Sequence, residues 1–137
     1  MATAKKSELS VILKTKDLVN YILTITEKSP KKFRFTMTGR IINLSIEALE
    51  NLYRANEMQM FLEDATIQKD NQRQRRKYQE EALMNIKLVA FMAEIGSEHK
   101  AILPKQYEQI SIKTAECQRL IGGWMKSDEK RILSQKV

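Results

Sequence analysis

Hydrophobic residues recur at steps of three and four positions along most of this chain, which is the spacing of one face of an α-helix. The pattern predicts helices over residues 7–28, 36–57, 72–95 and 104–126. The first of these helices ends near Ser29, because the proline that follows disfavours the α conformation there. Four glycines and two prolines are too few for the many turns of an all-β domain.

The ends of the predicted helices carry their own signals. Thr36 or Thr38 can accept a hydrogen bond from a free amide and so cap the second helix. Gly96 is placed to end the third helix. Pro104 suits the first position of the fourth, where a missing amide costs nothing.

Two polar segments lie outside these helices. The connection of residues 58–71 starts apolar and could extend the second helix, but its polar second half is typical of a loop or a frayed turn. Residues 127–137 follow the last apolar position and have the composition of a charged tail. The predicted domain therefore comprises residues 1–126.

The second and third predicted helices have more hydrophobic surface than one bundle core can cover, since each carries two apolar seams. The seams of the second helix are Ile41-Ser45-Ala48-Leu52-Ala55 and Ile42-Ile46-Leu49-Tyr53, and those of the third are Ala82-Ile86-Val89-Ala93 and Met84-Leu88-Phe91-Ile95. The surplus predicts self-association into a symmetric oligomer. A monomer in which the third helix sits more centrally than the others is the alternative.

Chain length and connection length decide the architecture. With 137 residues, 42% of them hydrophobic and 30% charged, the chain is large enough for one domain with a core. Helices of about 20 residues are roughly 30 Å long, and short connections place consecutive helices antiparallel. The predicted fold class is all-α, an antiparallel up-down four-helix bundle.

Residues suited to catalysis or metal binding are scarce. The single histidine, His99, lies in the connection before the fourth helix, and Gly96 stands where the Glu-x-x-His motif of a di-iron bundle needs glutamate. Cys117 lies in the apolar seam of the fourth helix, where a thiol is a small core residue. The glycines fit no phosphate-binding loop. We expect no enzyme activity, no metal and no cofactor.

The hydrophobic pattern does not indicate a membrane or secreted protein. No apolar run approaches the roughly 18 residues that cross a bilayer, and the first ten residues contain no apolar signal core. One cysteine cannot form an internal disulfide, which fits a reducing cytoplasm. We expect a soluble cytoplasmic protein without a membrane partner.

Positive charge is the clearest functional feature. The chain has 24 Lys and Arg against 17 Asp and Glu, a net charge of +7, which favours association with polyanions. It gathers in two basic clusters, Lys31, Lys32, Arg34 and Arg40 around the first connection, and Arg73, Arg75, Arg76 and Lys77 at the start of the third helix. An antiparallel bundle places the clusters at opposite ends, unless the long second connection bends the second cluster back along the side.

From these clusters we expect binding to structured RNA through its phosphates, with little reading of base sequence, because phosphates are identical in every sequence. Reading of bases needs aromatic stacking or positioned amides. The nearby aromatic residues, Phe33 and Phe35, are instead expected to anchor the connection to the core. Charge runs also occur on faces that only meet water.

Two adjacent glycines near the end of the fourth helix need a reason, since glycine inside a helix costs roughly 1 kcal/mol relative to alanine. We expect Gly122 and Gly123 to lie against a bulky neighbour, with Trp124 packed beside them. Leucine at position 123 would then overpack the contact.

The segment Arg119–Lys126, which contains these glycines, is one of four segments that together resemble the Avd family, the accessory variability determinants of diversity-generating retroelements. The others are Pro30–Thr36 at the opening of the second helix, Ala55-Asn56 at its end, and Lys105–Tyr107 at the opening of the fourth. The resemblance spans residues 18–126.

The resemblance implies a four-helix bundle that assembles as a homopentameric barrel. It also implies binding to the element's reverse transcriptase and to template RNA, with complementary DNA as a further candidate ligand, in support of mutagenic DNA synthesis. An accessory protein of this kind has no catalytic activity. Two features depart from the family pattern, the longer and more polar connection after the second helix and the arginine-rich start of the third.

Two other functions fit the same residues. The chain also resembles the four-helix-bundle proteins encoded in intervening sequences of bacterial 23S ribosomal RNA genes. A helical adaptor that binds only protein is the third possibility, with the basic clusters meeting acidic partner surfaces. A neighbouring reverse-transcriptase gene with template and variable repeats favours the retroelement, and a ribosomal RNA operon favours the intervening-sequence protein.

Overall fold

The computed structural model describes the backbone of residues 2–135 and the side chains of residues 10–135. Within this range the chain forms four α-helices and no strand. The helices are α1 Ala2–Thr26, α2 Gly39–Glu57, α3 Ala65–Glu98 and α4 Pro104–Gln135. Two short helical turns precede α2, a 3₁₀ turn over Lys31–Phe33 and a π turn over Arg34–Thr38.

Contacts between side chains show that neighbouring helices run antiparallel. Lys14 of α1 pairs with Glu116 of α4 at 3.7 Å. Farther along α1, the ring of Tyr21 lies 5.2 Å from the ammonium group of Lys113, which comes earlier in α4. Helices α1 and α3 each pack against α2 and α4. The predicted antiparallel four-helix bundle is confirmed.

One hydrophobic core runs through the bundle, and each helix contributes one buried seam. The α2 seam that begins at Ile41 and the α3 seam that begins at Ala82 are the buried ones. Cys117 and Trp124 of α4 are buried as predicted. In the second seam of α3, Met84 and Phe91 are both more than half exposed, whereas Leu88 packs against the edge of this core.

The segment between α1 and α2 differs from the prediction. Helix α1 begins at Ala2 and ends at Thr26, whose carbonyl accepts the amide of Ser29 at 3.1 Å. Neither threonine caps α2 as predicted. The Thr38 hydroxyl donates a 3.0 Å hydrogen bond to the carbonyl of Phe33, and Thr36 lies inside the π turn. Helix α2 therefore begins at Gly39, after the predicted residue 36.

Gly39 permits the π turn. The amide of Gly39 bonds to the carbonyl of Arg34, five residues earlier. A Cβ atom at position 39 would overlap that carbonyl oxygen. Any other L-residue therefore forces the turn to shift. The close approach of Gly39 to the carbonyl of Arg34 thus determines the backbone conformation of the segment between α1 and α2.

The polar residues 65–71, predicted as a loop, are the first turns of α3. The carboxylate of Asp64 accepts the amides of Thr66 and Ile67 at 2.9 and 3.1 Å, which is an N-terminal cap. Gln72 then donates a 2.8 Å hydrogen bond to the carbonyl of Met60, a buried residue of the preceding connection. The connection is thus held along the side of α3.

Residues 127–135, predicted as a charged tail, continue α4 to Gln135, and residues 136–137 lie outside the described range. This part of the helix is packed rather than solvated. Asp128 is buried, and Arg131 and Ile132 are half-buried. The prediction was wrong because it judged these residues by polarity alone.

An ion pair between Arg75 and Asp128 explains why both polar segments are helical. Their side chains are 5% and 7% exposed, and the guanidinium meets the carboxylate through two hydrogen bonds of 2.7 and 3.1 Å. Gln79 donates a third hydrogen bond of 2.8 Å to the same carboxylate. Two buried charges need this partnership, so the start of α3 and the end of α4 stabilise each other.

Arg75 also holds the end of α2. One of its terminal nitrogens lies 3.4 Å from the carbonyl oxygen of Ala55 and 3.3 Å from that of Met58. A cation at this end of a helix satisfies free carbonyls and interacts favourably with the helix dipole. The guanidinium lies 4.9 Å from the ring centre of Trp124. One arginine of α3 therefore contacts both α2 and α4.

The predictions for the glycines of α3 and α4 were wrong. Gly96 does not end α3 but lies buried within it, where an added Cβ would be 3.3 Å from Met37. The residue with positive φ after the helix is instead Lys100, at 64°. An added Cβ at Gly122 or Gly123 would meet nothing within 4 Å. No bulky neighbour in the described structure therefore requires the glycine pair.

We predict that Asp128→Asn lowers the free energy of unfolding by about 3 to 5 kcal/mol, because it removes the buried negative charge that the guanidinium of Arg75 meets through two hydrogen bonds. Glu129→Gln is the matched control. Its carboxylate pairs with Arg76 at 2.8 Å, but those side chains are 56% and 40% exposed, so a loss of about 1 kcal/mol or less is expected. Equal losses in chemical denaturation would contradict the buried pair.

We predict that alanine has opposite effects at two glycines. Gly123→Ala raises the free energy of unfolding by up to about 1 kcal/mol, because alanine favours helix and the space is open. Gly39→Ala lowers it by about 1 to 3 kcal/mol, because its Cβ overlaps the carbonyl of Arg34. Thermal unfolding measures both, and a stabilising Gly39→Ala would rule out the π turn.

Candidate nucleic-acid interface

The first basic cluster lies at the end of the bundle where two connectors meet. Residues 27–38 join α1 to α2, and residues 99–103 join α3 to α4. Side chains of both connectors, including Lys28 and Lys100, line one shared pocket. We call this end of the molecule the connector end.

The cations of the connector end are exposed, and the described side chains give them no acidic partner. Lys31, Lys32, Arg34 and Arg40 are all exposed. Among the side chains of residues 10–135, none of these four forms an ion pair. Exposed Lys28, Lys100 and Lys105 add further charge at the same end. Uncompensated cations on one surface are what phosphate binding needs.

Some of these cations line a groove between the end of α1 and the start of α2. The groove has a volume of about 930 Å³. Lys28, Lys31 and Arg34 contribute positive charge and outnumber the one carboxylate, Glu27, while Leu23 and Ile42 contribute apolar surface. A groove of this kind can hold an anionic chain at its charged edge.

The two aromatic residues of the connector between α1 and α2 differ in exposure. Phe35, within the turn, is 92% exposed, so the prediction that it anchors the connector to the core was wrong. Phe33 is half-buried, and the ammonium group of Lys32 lies 5.1 Å from its ring centre. The connector therefore presents a free aromatic ring among cations.

The second basic cluster is largely neutralised. Arg75 is buried in its ion pair with Asp128, so the prediction that it binds RNA or a partner was wrong. Arg76 pairs with Glu129 at 2.8 Å and with Glu80 at 4.0 Å.

The two remaining members of that cluster stay exposed. Arg73 lies 3.7 Å from Asp70, and Lys77 has no ion-pair partner among the side chains described. Because Arg75 contacts the end of α2, this cluster lies at the opposite end of the bundle from the connector end, as predicted.

Sequence reasoning missed several residues of the connector end. Lys100 and Lys105 were overlooked, although the antiparallel topology brings the connector between α3 and α4 beside the connector between α1 and α2. Lys28 precedes the first cluster by three positions and carried the same signal. Phe35 could not be found from its hydrophobicity, because a non-polar residue beside a helix is ordinarily assigned to the core.

Groups with catalytic potential are separated in the structure. Cys117 is buried beside the hydroxyl of Thr15 at 3.7 Å, and burial raises the pKa of its thiol, which disfavours the nucleophilic thiolate. His99 is exposed at the end of α3. Within residues 10–135, no three His, Cys, Asp or Glu side chains are grouped so that they could hold a metal ion.

Length and hydropathy distinguish the four helices from membrane spans. In the described part of the chain, none of them combines the length and the apolar character needed to cross a bilayer.

Comparison with known proteins identifies the fold. A scan against protein-family models and a search of curated proteins each found no match. Among solved structures, the chain is similar to the crystal structure of a protein of unknown function from the S23 ribosomal protein family of Bacteroides thetaiotaomicron. The TM-score is 0.64 at 17% sequence identity, over 88% of this chain and 98% of that chain. This likeness shows a related helical fold.

Proposed function

We propose that this protein is a non-catalytic, cytoplasmic accessory protein of a diversity-generating retroelement, which binds template RNA and reverse transcriptase to support mutagenic complementary-DNA synthesis. The observation that carries the proposal is the exposed, unpaired charge of the connector end. Lys31, Lys32 and Arg34 belong to the segment Pro30–Thr36, one of the segments that resemble the Avd family.

RNA binding is assigned to the connector end rather than to the second basic cluster. Charge that is already paired within the protein cannot release counterions from phosphate, so it adds little to RNA affinity. This applies to Arg75 and Arg76. Arg73 and Lys77, at the opposite end, remain candidates for contact with the reverse transcriptase.

Self-association is part of the same proposal, and two exposed apolar surfaces support it. One is the seam of α3 that contains Met84 and Phe91. The other is the far end of the second α2 seam, around the exposed Tyr53. The first residue of that seam, Ile42, lines the RNA groove with Leu23, which places the seam on the side facing α1, but Ile42 itself is not part of the interface.

These two surfaces lie on different sides of the subunit. A closed ring uses two different patches on each subunit, whereas a two-fold dimer uses one patch twice. The arrangement therefore favours a ring, and the number five comes from the Avd resemblance alone.

A second candidate is a protein of the S23 ribosomal family type, favoured by the structural likeness to a member of that family. This reading also uses the connector end for RNA. The two candidates differ in partner, because the first requires a reverse transcriptase. A reverse-transcriptase gene beside this one would support the retroelement, and a ribosomal RNA operon would support the second candidate.

We predict that replacing Lys31, Lys32, Arg34 and Arg40 by glutamine weakens binding to a labelled RNA and lowers the salt dependence of that binding. Four lost phosphate contacts reduce the slope of log affinity against log salt by about 3. Fluorescence anisotropy across a salt series measures both, and circular dichroism verifies the fold.

The matched control replaces Lys69, Arg73, Arg76 and Lys77 by glutamine, which removes the same charge at the opposite end and leaves Arg75 in place. It is expected to retain the RNA affinity of the parent within a few-fold. Loss of binding in the control alone would move the RNA site to the opposite end. If both variants bind RNA as the parent does, the protein-only adaptor becomes the better account.

We predict that light scattering finds a homopentamer whose assembly depends on the apolar seams. Phe91→Asp places a charge in the exposed α3 seam and is expected to release subunits of 16.0 kDa, because an interface core excludes unpaired charge. Ile112→Asp, at an exposed apolar residue of α4, is the control and leaves assembly unchanged. A parent protein that is monomeric at every concentration would refute the ring.

A further inference from the structure

We propose that Phe35 is a stacking platform for an unpaired base of single-stranded RNA, held out from the bundle by the π turn and flanked by cations that bind the adjoining phosphates. The inference rests on the proposed RNA binding at the connector end and specifies which form of RNA that end prefers. It gives the site a contact to bases in addition to its contacts to phosphates.

The exposure of Phe35 is the first observation. Its side chain is 92% exposed, the largest exposed fraction among the large hydrophobic residues of the described chain. Burying an aromatic ring is strongly favourable, so a ring this free in the isolated subunit can gain affinity by covering its faces. Single-stranded nucleic acids are bound in this way, through aromatic rings along a positively charged groove.

The backbone around Phe35 is the second observation. The residue sits in a five-residue π turn, a rare conformation that often occurs at functional sites. The turn depends on Gly39, where a Cβ would overlap the carbonyl of Arg34, and on the hydrogen bond from Thr38 to Phe33. The local sequence thus fixes the backbone from which the ring projects.

The charges around Phe35 identify the occupant. Arg34 precedes it directly, and Lys31 lies one turn earlier. Both of these cations line the groove of about 930 Å³, and Phe35 lies next to that groove in the chain rather than in its lining. Arg40 and Lys32 are also exposed and form no ion pair with any side chain of residues 10–135, so a second copy of this cationic end would be repelled. A strand that supplies both phosphates and bases satisfies the cations and the ring together.

Single-stranded RNA is favoured over duplex RNA on the same grounds. In a duplex the bases are already stacked and paired, so the faces that Phe35 would cover are not available. A duplex can therefore use the cations but not the ring. Phosphate contact alone would not make this distinction.

The test compares Phe35→Ala with the parent protein by fluorescence anisotropy, using a labelled oligouridylate and a blunt-ended RNA duplex of equal length. We expect Phe35→Ala to bind the oligouridylate roughly 5- to 100-fold more weakly, the usual range for loss of one stacked base. Duplex binding changes less than about twofold. The salt slope stays that of the parent, because the ring carries no charge.

Two matched variants separate stacking from general apolar contact. Phe35→Trp keeps an aromatic face and is expected to restore single-strand affinity. Leu103→Ala removes an exposed aliphatic side chain at the same end and is expected to leave affinity unchanged. Because Phe35 is so exposed, its replacement does not threaten the fold, and an unchanged thermal midpoint verifies this.

Each contrary outcome has a distinct meaning. If the parent binds the RNA and Phe35→Ala binds the oligouridylate equally well, the stacking platform is wrong while the proposed function stands. Equal weakening for single strand and duplex also overturns it, as does a change in oligomeric state on replacement of Phe35. If the parent itself binds neither RNA, the proposed function fails and this inference fails with it.

Discussion

The buried ion pair of Arg75 and Asp128 is the interaction on which the register of this bundle depends. Removing either charge from water costs several kcal/mol, so the two side chains are stable inside only when helices α3 and α4 place them face to face. The same guanidinium closes the end of α2 and covers Trp124. The contacts of Arg75 therefore fix how α2, α3 and α4 are aligned along the bundle axis. This alignment in turn positions the two connectors of the connector end.

Positive charge is paired with carboxylates at one end of the bundle and exposed to water at the other. At the end that contains Arg75, carboxylates from α3 and α4 accept the arginines, so the charge serves the fold. At the connector end, Lys31, Arg34 and their neighbours are exposed to water, and none of the side chains described supplies them with an acidic partner. The chain has a net charge of +7, and its unpaired cations are the ones that remain available to another molecule. This asymmetry is why the function is assigned to one end, although the sequence shows two equally basic clusters.

Hydrophobic periodicity sufficed to predict the four helices and their core seams, because a 3.6-residue period is a direct consequence of burial on one side. This periodicity no longer predicted helix where the seams become polar. Yet Arg75 and Gln79 continue the 4,3 spacing of the α3 seam backwards from Ala82, and Asp128 continues that of α4 beyond Trp124. Following register rather than polarity would have found this network. The exposed ring of Phe35 had no such signal, because it depends on a π turn.

The central claim is that RNA meets the connector end, and photocrosslinking with RNA that contains 4-thiouridine tests it most directly. Mass spectrometry of the digested complex identifies the residues that lie against the bases. The account predicts crosslinks within residues 28–40, at Phe35 above all, and on the neighbouring connector at residues 99–105. Crosslinks concentrated instead within residues 69–77, or on the outer face of α3, would contradict it.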